Sequence, residues 1–209
     1  MPLELSDPVT SQRRLREIIP EWKGNASKKD LDRVNDVARE FIARSPYVII
    51  SSAGVEDRHD VSPKGDAPGF VHVYDDKTLL VPDRLGNHRA DTFENLLIDD
   101  RVGVLFLVPG HKETLRIAGR GRIAADEALR ERFEINGRLP DLVLVVDVEQ
   151  VFMHCSKSLV RSKLWSPDTW EHAQDAPSLA QWVKSTVDTE ESLEQVQGNH
   201  DRDRETRLY

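Results

Sequence analysis

Between Tyr47 and Val151 the chain passes through a succession of short apolar runs joined by links of turn length. This spacing constrains the fold more than any other feature. Tyr47–Ser52, Phe70–Tyr74, Thr78–Val81, Arg101–Val108, Thr114–Ala124 and Leu142–Val151 read as strands, and Val61–Ser62 as a short extended piece. Asp75-Asp76-Lys77 reads as a hairpin turn and Pro109-Gly110 as a second turn. Parallel strands need crossovers of about a dozen residues or more, which these links rarely provide. The expectation is therefore a mainly β fold of about six antiparallel strands, in a barrel or meander.

Helical spacing flanks this region. Ser27-Lys28-Lys29-Asp30 resembles a capping box with Asp in place of Glu or Gln. Leu31, Val34, Ala38, Phe41 and Ile42 follow at helical intervals. Arg44-Ser45-Pro46 ends that helix, because the residue before proline avoids the α region. Pro8 to Ile19 predicts an earlier, shorter helix. Arg89–Ile98 predicts one with Ala90, Phe93, Leu96 and Leu97 on its apolar face. Further helix signals lie at Glu127–Phe133, Cys155–Val160 and Ser178–Val187. Asp188 to Tyr209 is polar and charge-mixed, and taken alone reads as a disordered tail. The expected division is 1–45 (helices packed on the barrel), 46–165 (barrel) and 166–209 (a helix and charged tail).

Charge and cysteine content narrow the function classes. With 29 Lys+Arg against 37 Asp+Glu the net charge is −8. Such a chain does not attract nucleic acid or an anionic membrane as a whole, so a bound phosphate needs a local basic pocket. The one cysteine, Cys155, permits no internal disulfide and favours a reducing, cytoplasmic setting. The start has no basic region followed by an apolar one, and the longest apolar runs, Val102–Pro109 and Leu142–Val146, are too short to span a bilayer.

Three segments carry candidate chemistry. In Asp60–Phe70 two prolines and two glycines surround Ser62 and Lys64, which suit a phosphate or ring carbonyl; the same composition also suits a rigid surface loop. In Asp83–Thr92, Asn87 is a favourable N-cap and Arg89 sits in the first helical turn. A cation there opposes the helix dipole unless an anion lies between them, although a solvated arginine on an ordinary capped helix reads equally well. In Phe152–Trp165, Arg161 and Lys163 suit an anion and Trp165 a planar ring; the bland alternative is a core tryptophan among solvated cations. His154-Cys155 is not expected to form a metal or nucleophile site, since no second cysteine or paired histidine spacing exists. Cys155 is expected to be small and buried at a strand-to-helix corner, and His154 to be a strand-end residue. Gly119-Arg120-Gly121 lies inside a strand and reads as a bend, not a dinucleotide fingerprint.

The order of these segments resembles the pyridoxamine 5′-phosphate oxidase-like, FMN-dependent proteins, in a bacterial branch of that superfamily. The resemblance rests on Asp60-Val61-Ser62-Pro63-Lys64-Gly65-Asp66, Gly86-Asn87-His88-Arg89, Arg101–Phe106, Thr114–Gly119, His154–Ser158 and Arg161-Ser162-Lys163-Leu164-Trp165. It covers roughly Asp36 to Trp165. It implies a six-stranded antiparallel split β-barrel with Greek-key features, and a homodimer with FMN at the subunit interface. It further implies that Asn87 and Arg89 grip the FMN phosphate and that Val61, Ser62 and Lys64 run beside the flavin. Arg161, Ser162 and Trp165 would reach the flavin from the partner subunit. The implied activity is FMN-dependent oxidation or reduction of a small molecule, with the catalytic group unassigned. Non-catalytic flavin binding, or the same barrel around a deazaflavin or haem, are the alternatives. The chain departs from true pyridoxamine phosphate oxidases at Arg202–Tyr209, where their C-terminal Arg-x-His pair is missing.

Overall fold

The computed structural model describes residues 3–21 and 29–208. Residues up to Asp30 form one compact unit and Leu31 onward a second. The first holds helix α1 (Gln12–Ile18), capped by Ser11, whose hydroxyl accepts a hydrogen bond from Arg14 N at 3.2 Å.

The second unit is built on a seven-stranded antiparallel sheet. Its strands are β1 (Tyr47–Ala53), β2 (His59–Gly65), β3 (His72–Asp75), β4 (Thr78–Pro82), β5 (Arg101–Leu107), β6 (Thr114–Ala124) and β7 (Val143–His154). The order is β2-β1-β5-β6-β7-β4-β3. The expected count of six is thus exceeded, because the piece around Val61–Ser62 is a full strand paired along β1 from His59 to Gly65. The hydrogen-bonded ladder is open, with β2 at one edge and β3 at the other.

Alternation sets which face is covered. Val48, Ile50, Val102, Val104, Phe106, Leu115 and Ile117 are buried, and the residues between them are exposed or half-exposed. Helix α2 (Asp36–Arg44) lays Ala38, Phe41 and Ile42 into the same core. The helix starts later than the spacing predicts. Its cap is Asn35, whose side chain accepts from Ala38 N at 2.9 Å. Ser27 and Lys28 of the expected capping box lie outside the described residues. Leu31 instead exchanges two backbone hydrogen bonds with Val151, at 3.0 and 2.8 Å, and Val34 N donates to Asp76 O. The cause is that β4 pairs with β7 only over Val143–Asp147, which leaves later β7 backbone groups open to a partner.

Two other expectations shift in detail. Arg89–Ile98 contains helix α3 (Asp91–Leu96); Phe93 and Leu96 are buried, but Leu97 is exposed. Glu127–Phe133 divides into α4 (Glu127–Arg130) and a 3₁₀ turn. After β7 come α5 (Lys157–Ser162), α6 (Leu179–Thr186) and α7 (Leu193–Thr206). The segment read as a disordered tail is therefore mostly helix. Ser192 and Gln195 form a reciprocal capping box, as Ser178 and Gln181 do on α6, and Ala180 and Val196 are buried. Cys155 does lie at the strand-to-helix corner, but it is exposed rather than buried.

The bend expected at Gly119–Gly121 is a β-bulge, where the β6–β7 register shifts between Ala118 and Gly119. A Cβ on Gly119 would run into the carbonyl oxygen of Asp147 on the facing strand. Gly119→Ala is expected to destabilise the fold by about 1–3 kcal/mol, the usual cost of forcing backbone to move in a packed site. Urea denaturation of the two proteins reads this directly.

Candidate functional site

The largest concentration of predicted site residues lies in a cleft of about 490 Å³. Its walls are β2 from Asp60 to Lys64, the Asp83–Ala90 loop after β4, the start of α3, and the Arg138–Leu142 approach to β7. Antiparallel pairing explains part of this meeting. β2 and β4 lie far apart in the sheet order, but their ends are joined by an ion pair between the loops that follow them. Arg84 Nε meets Asp66 Oδ2 at 2.6 Å, with the Asp66 side chain only 2% exposed. Arg84 Nη1 also donates to the Phe133 carbonyl at 2.6 Å. Losing one member of such a pair leaves a buried charge and typically costs about 3–5 kcal/mol.

Val61, Ser62, Lys64, Asn87 and Arg89 all line this cleft. Val61 is exposed, while Ser62 and Lys64 alternate inward along β2. Lys64 Nζ lies 3.7 Å from Asp83 Oδ1. Asn87 is not the helix cap. Ala90 holds that position in a left-handed conformation (φ 55°), and Asn87 Oδ1 accepts from Arg89 N at 3.1 Å. His88 also has positive φ, so this loop contains two non-glycine residues in a region L side chains seldom adopt. Arg89 is mostly exposed and pairs with Asp91 Oδ2 at 2.6 Å. The unfavourable cation at the helix start is thus offset within the chain by the carboxylate two residues on.

Arg161, Ser162 and Trp165 do not line the cleft. Arg161 is exposed at the end of α5, and the Ser162 hydroxyl donates to the Leu159 carbonyl at 3.1 Å. Trp165 is half-buried, and its ring N–H is buried without a hydrogen-bond partner. His154 ends β7 edge-on to Phe152, outside the cleft; burial, with help from Arg116, pulls its pKa below the ordinary value.

Several cleft residues had no role assigned from sequence. Asp60 accepts a hydrogen bond from the buried Thr92 hydroxyl at 2.9 Å, which ties β2 to α3. Outside the cleft, the buried Asn95 accepts from Val55 N at 2.9 Å and donates to Ser52 Oγ at 3.1 Å, tying α3 to β1. Polar residues in the first turns of a short helix following a polar loop were the available signal. The basic lining, Lys64, Arg84, Arg89 and Arg138, is matched by Asp60, Asp83, Asp91 and Asp141. The site is therefore polar and close to charge balance, with Leu85, Phe93 and Leu142 as apolar surface. Among the described residues no group of three or more His, Cys, Asp or Glu is placed to hold a metal ion, and no helix is long and apolar enough to cross a membrane.

Asp83 is the cleft carboxylate with a raised pKa. Burial is the main cause and the neighbouring Asp141 adds to it, against the pull of Lys64. A carboxylate raised by folding binds its proton more tightly in the native than in the unfolded state. Its contribution to stability therefore falls as pH rises from the ordinary aspartate range through its folded value. Asp83→Asn should gain stability relative to the parent as pH increases across that window. Urea midpoints from pH 4 to 7.5 test this; parallel curves would mean that Asp83 titrates alike in both states.

Comparison with known proteins adds a family. The model of the family described as pyridoxamine 5′-phosphate oxidase matches residues 34–155. No curated protein matches. Among solved structures, HupZ of Group A Streptococcus is 17% identical, with 59% of this chain and 95% of that one covered and a TM-score of 0.48. A candidate pyridoxamine 5′-phosphate oxidase of Lactobacillus delbrueckii is also 17% identical, covering 58% and 95%, at a TM-score of 0.46. An F420 reductase is 14% identical, covering 58% and 98%, at 0.40.

Proposed function

The chain belongs to the pyridoxamine 5′-phosphate oxidase family, and from that premise we propose that it binds FMN in the cleft between β2, the Asp83–Ala90 loop and α3, and acts as an FMN-dependent oxidoreductase on a small molecule. The observation that carries this reading is the convergence of Ser62, Lys64, Asn87 and Arg89, from two separate segments, on one cleft of about 490 Å³. That volume lies within the usual range for small-molecule sites, about 300–1,000 Å³. The donor set fits a phosphorylated planar ligand: cations and a hydroxyl for the phosphate, and apolar side chains for a ring.

Flavin supplies the redox chemistry when bound, passing hydride or single electrons. The chain's own residues supply binding and orientation. Lys64 and Arg89 offset the phosphate charge. Each already has a carboxylate neighbour, Asp83 and Asp91, so the ligand would share these cations rather than meet bare ones. Asn87 holds the Arg89 backbone N–H, and Val61 on β2 offers apolar surface beside a ring. We assign Arg161, Ser162 and Trp165 to the flavin pocket of a second copy in a homodimer, in keeping with their place outside this chain's own cleft.

An absorbance spectrum of the purified protein and an FMN titration followed by flavin fluorescence test the reading. Uptake of FMN is expected. Arg89→Ala and Lys64→Ala should each weaken it by about tenfold to a hundredfold, the scale of a lost charge-assisted hydrogen bond. Unchanged affinity in both variants would remove the phosphate from this cleft, and absence of any flavin uptake would refute the cofactor.

A further inference from the structure

A second hollow, of about 340 Å³, lies beside α2 and β3, away from the cleft. Its composition is unusual for this chain. The protein carries a net charge of −8, yet the hollow is lined by Arg39 and Arg132 and by no carboxylate. Arg39 shares its charge with Asp76, 3.2 Å from Nη2 on the outside, and donates to the Val73 carbonyl at 3.4 Å. Arg132 has no ion pair among the described residues. Its guanidinium instead lies over the Tyr74 ring, 5.2 Å from the centroid. Tyr74 is itself half-exposed, so this guanidinium-on-phenol platform faces solvent.

The remaining walls are apolar or neutral. Ala43 and Val73 supply aliphatic surface. His72 stacks on Phe133 with centroids 4.2 Å apart. Burial, then Arg132 and Arg84, depress its pKa and so favour its neutral form. With Arg39 offset by Asp76, the hollow carries about one uncompensated positive charge beside a planar surface.

We propose that this hollow is a binding site for a small aromatic monocarboxylate, its carboxylate on Arg132 and Arg39 and its ring against the Arg132–Tyr74 platform. One net cation matches a monoanion better than a dianionic phosphate, and a planar body fits the guanidinium–phenol platform. The site is separate from the proposed flavin cleft, and none of its lining residues is shared with it.

The test is isothermal calorimetry on the full chain with sodium benzoate, with benzamide as the neutral isostere, and with inorganic phosphate. Benzoate is expected to bind in the millimolar range, and benzamide about tenfold or more weakly, as expected when a charge-assisted hydrogen bond is lost. Arg132→Gln should lower benzoate affinity by about tenfold and weaken its salt dependence. Arg132 is exposed on a short turn, and a thermal melt verifies that the variant is folded. Should the variant not fold, the benzoate-against-benzamide comparison on the parent protein decides alone. Equal binding of benzamide, unchanged affinity in folded Arg132→Gln, preference for phosphate, or no benzoate binding would each overturn the proposal.

Discussion

The β6–β7 ladder is the constraint on which the rest of the sheet-bearing unit depends. It pairs Thr114–Ala124 with Val143–His154 almost end to end. Every other part of the sheet is hung from one side of it or the other: β5, β1 and β2 from β6, and β4 and β3 from β7. The long ladder also fixes where short partners stop. β4 covers less than half of β7, and the uncovered stretch takes Leu31 and the Lys77 carbonyl as substitute partners. The approach of the chain to α2 is thereby set by backbone groups that would otherwise go unpaired. One irregularity, the bulge at Gly119, interrupts this ladder, and it occurs where the facing carbonyl leaves no room for a side chain.

Electrostatics organise the cleft more than apolar packing does. Lys64 faces Asp83, Arg84 grips Asp66, and Arg89 turns to Asp91. Their exposures differ, and so do their physical roles. The Arg84–Asp66 pair is largely buried and joins two loops, so it acts as a fixed strut. The Arg89–Asp91 pair is exposed and local, and exposed pairs contribute little to stability. A cation held so loosely can exchange partners at small cost. The cleft therefore combines a rigid frame with movable charges.

Most strands were legible because period-two alternation and short links leave few alternatives. Thr114–Ala124 matches the expected strand residue for residue. β2 is faint in the sequence because Pro63 and Gly65 dilute its β character; its register with β1 reveals its length. The start of α2 is not legible locally, because Leu31 and Val34 fit a helical spacing while their backbone is engaged elsewhere, a long-range effect that no local pattern encodes. The terminal helix was legible in principle: Ser192 and Gln195 stand at capping-box spacing, but the polar composition outweighed them. In the cleft, the glycine- and proline-bearing loops marked where side chains gather. The pairing of Arg84 with Asp66, and the contact of Thr92 with Asp60, join residues 18 and 32 positions apart and follow from tertiary structure alone.

Pro63 sits in the middle of β2, which forms one edge of the open sheet. An edge strand ordinarily offers a row of N–H and C=O groups to any extended segment that comes alongside. A proline there removes one donor from the row and obstructs a neighbour's close approach. The edge is thus poorly suited to templating further strands, which guards the protein against strand-by-strand association in a crowded solution. The same proline disfavours a continuous sheet between two copies along this edge.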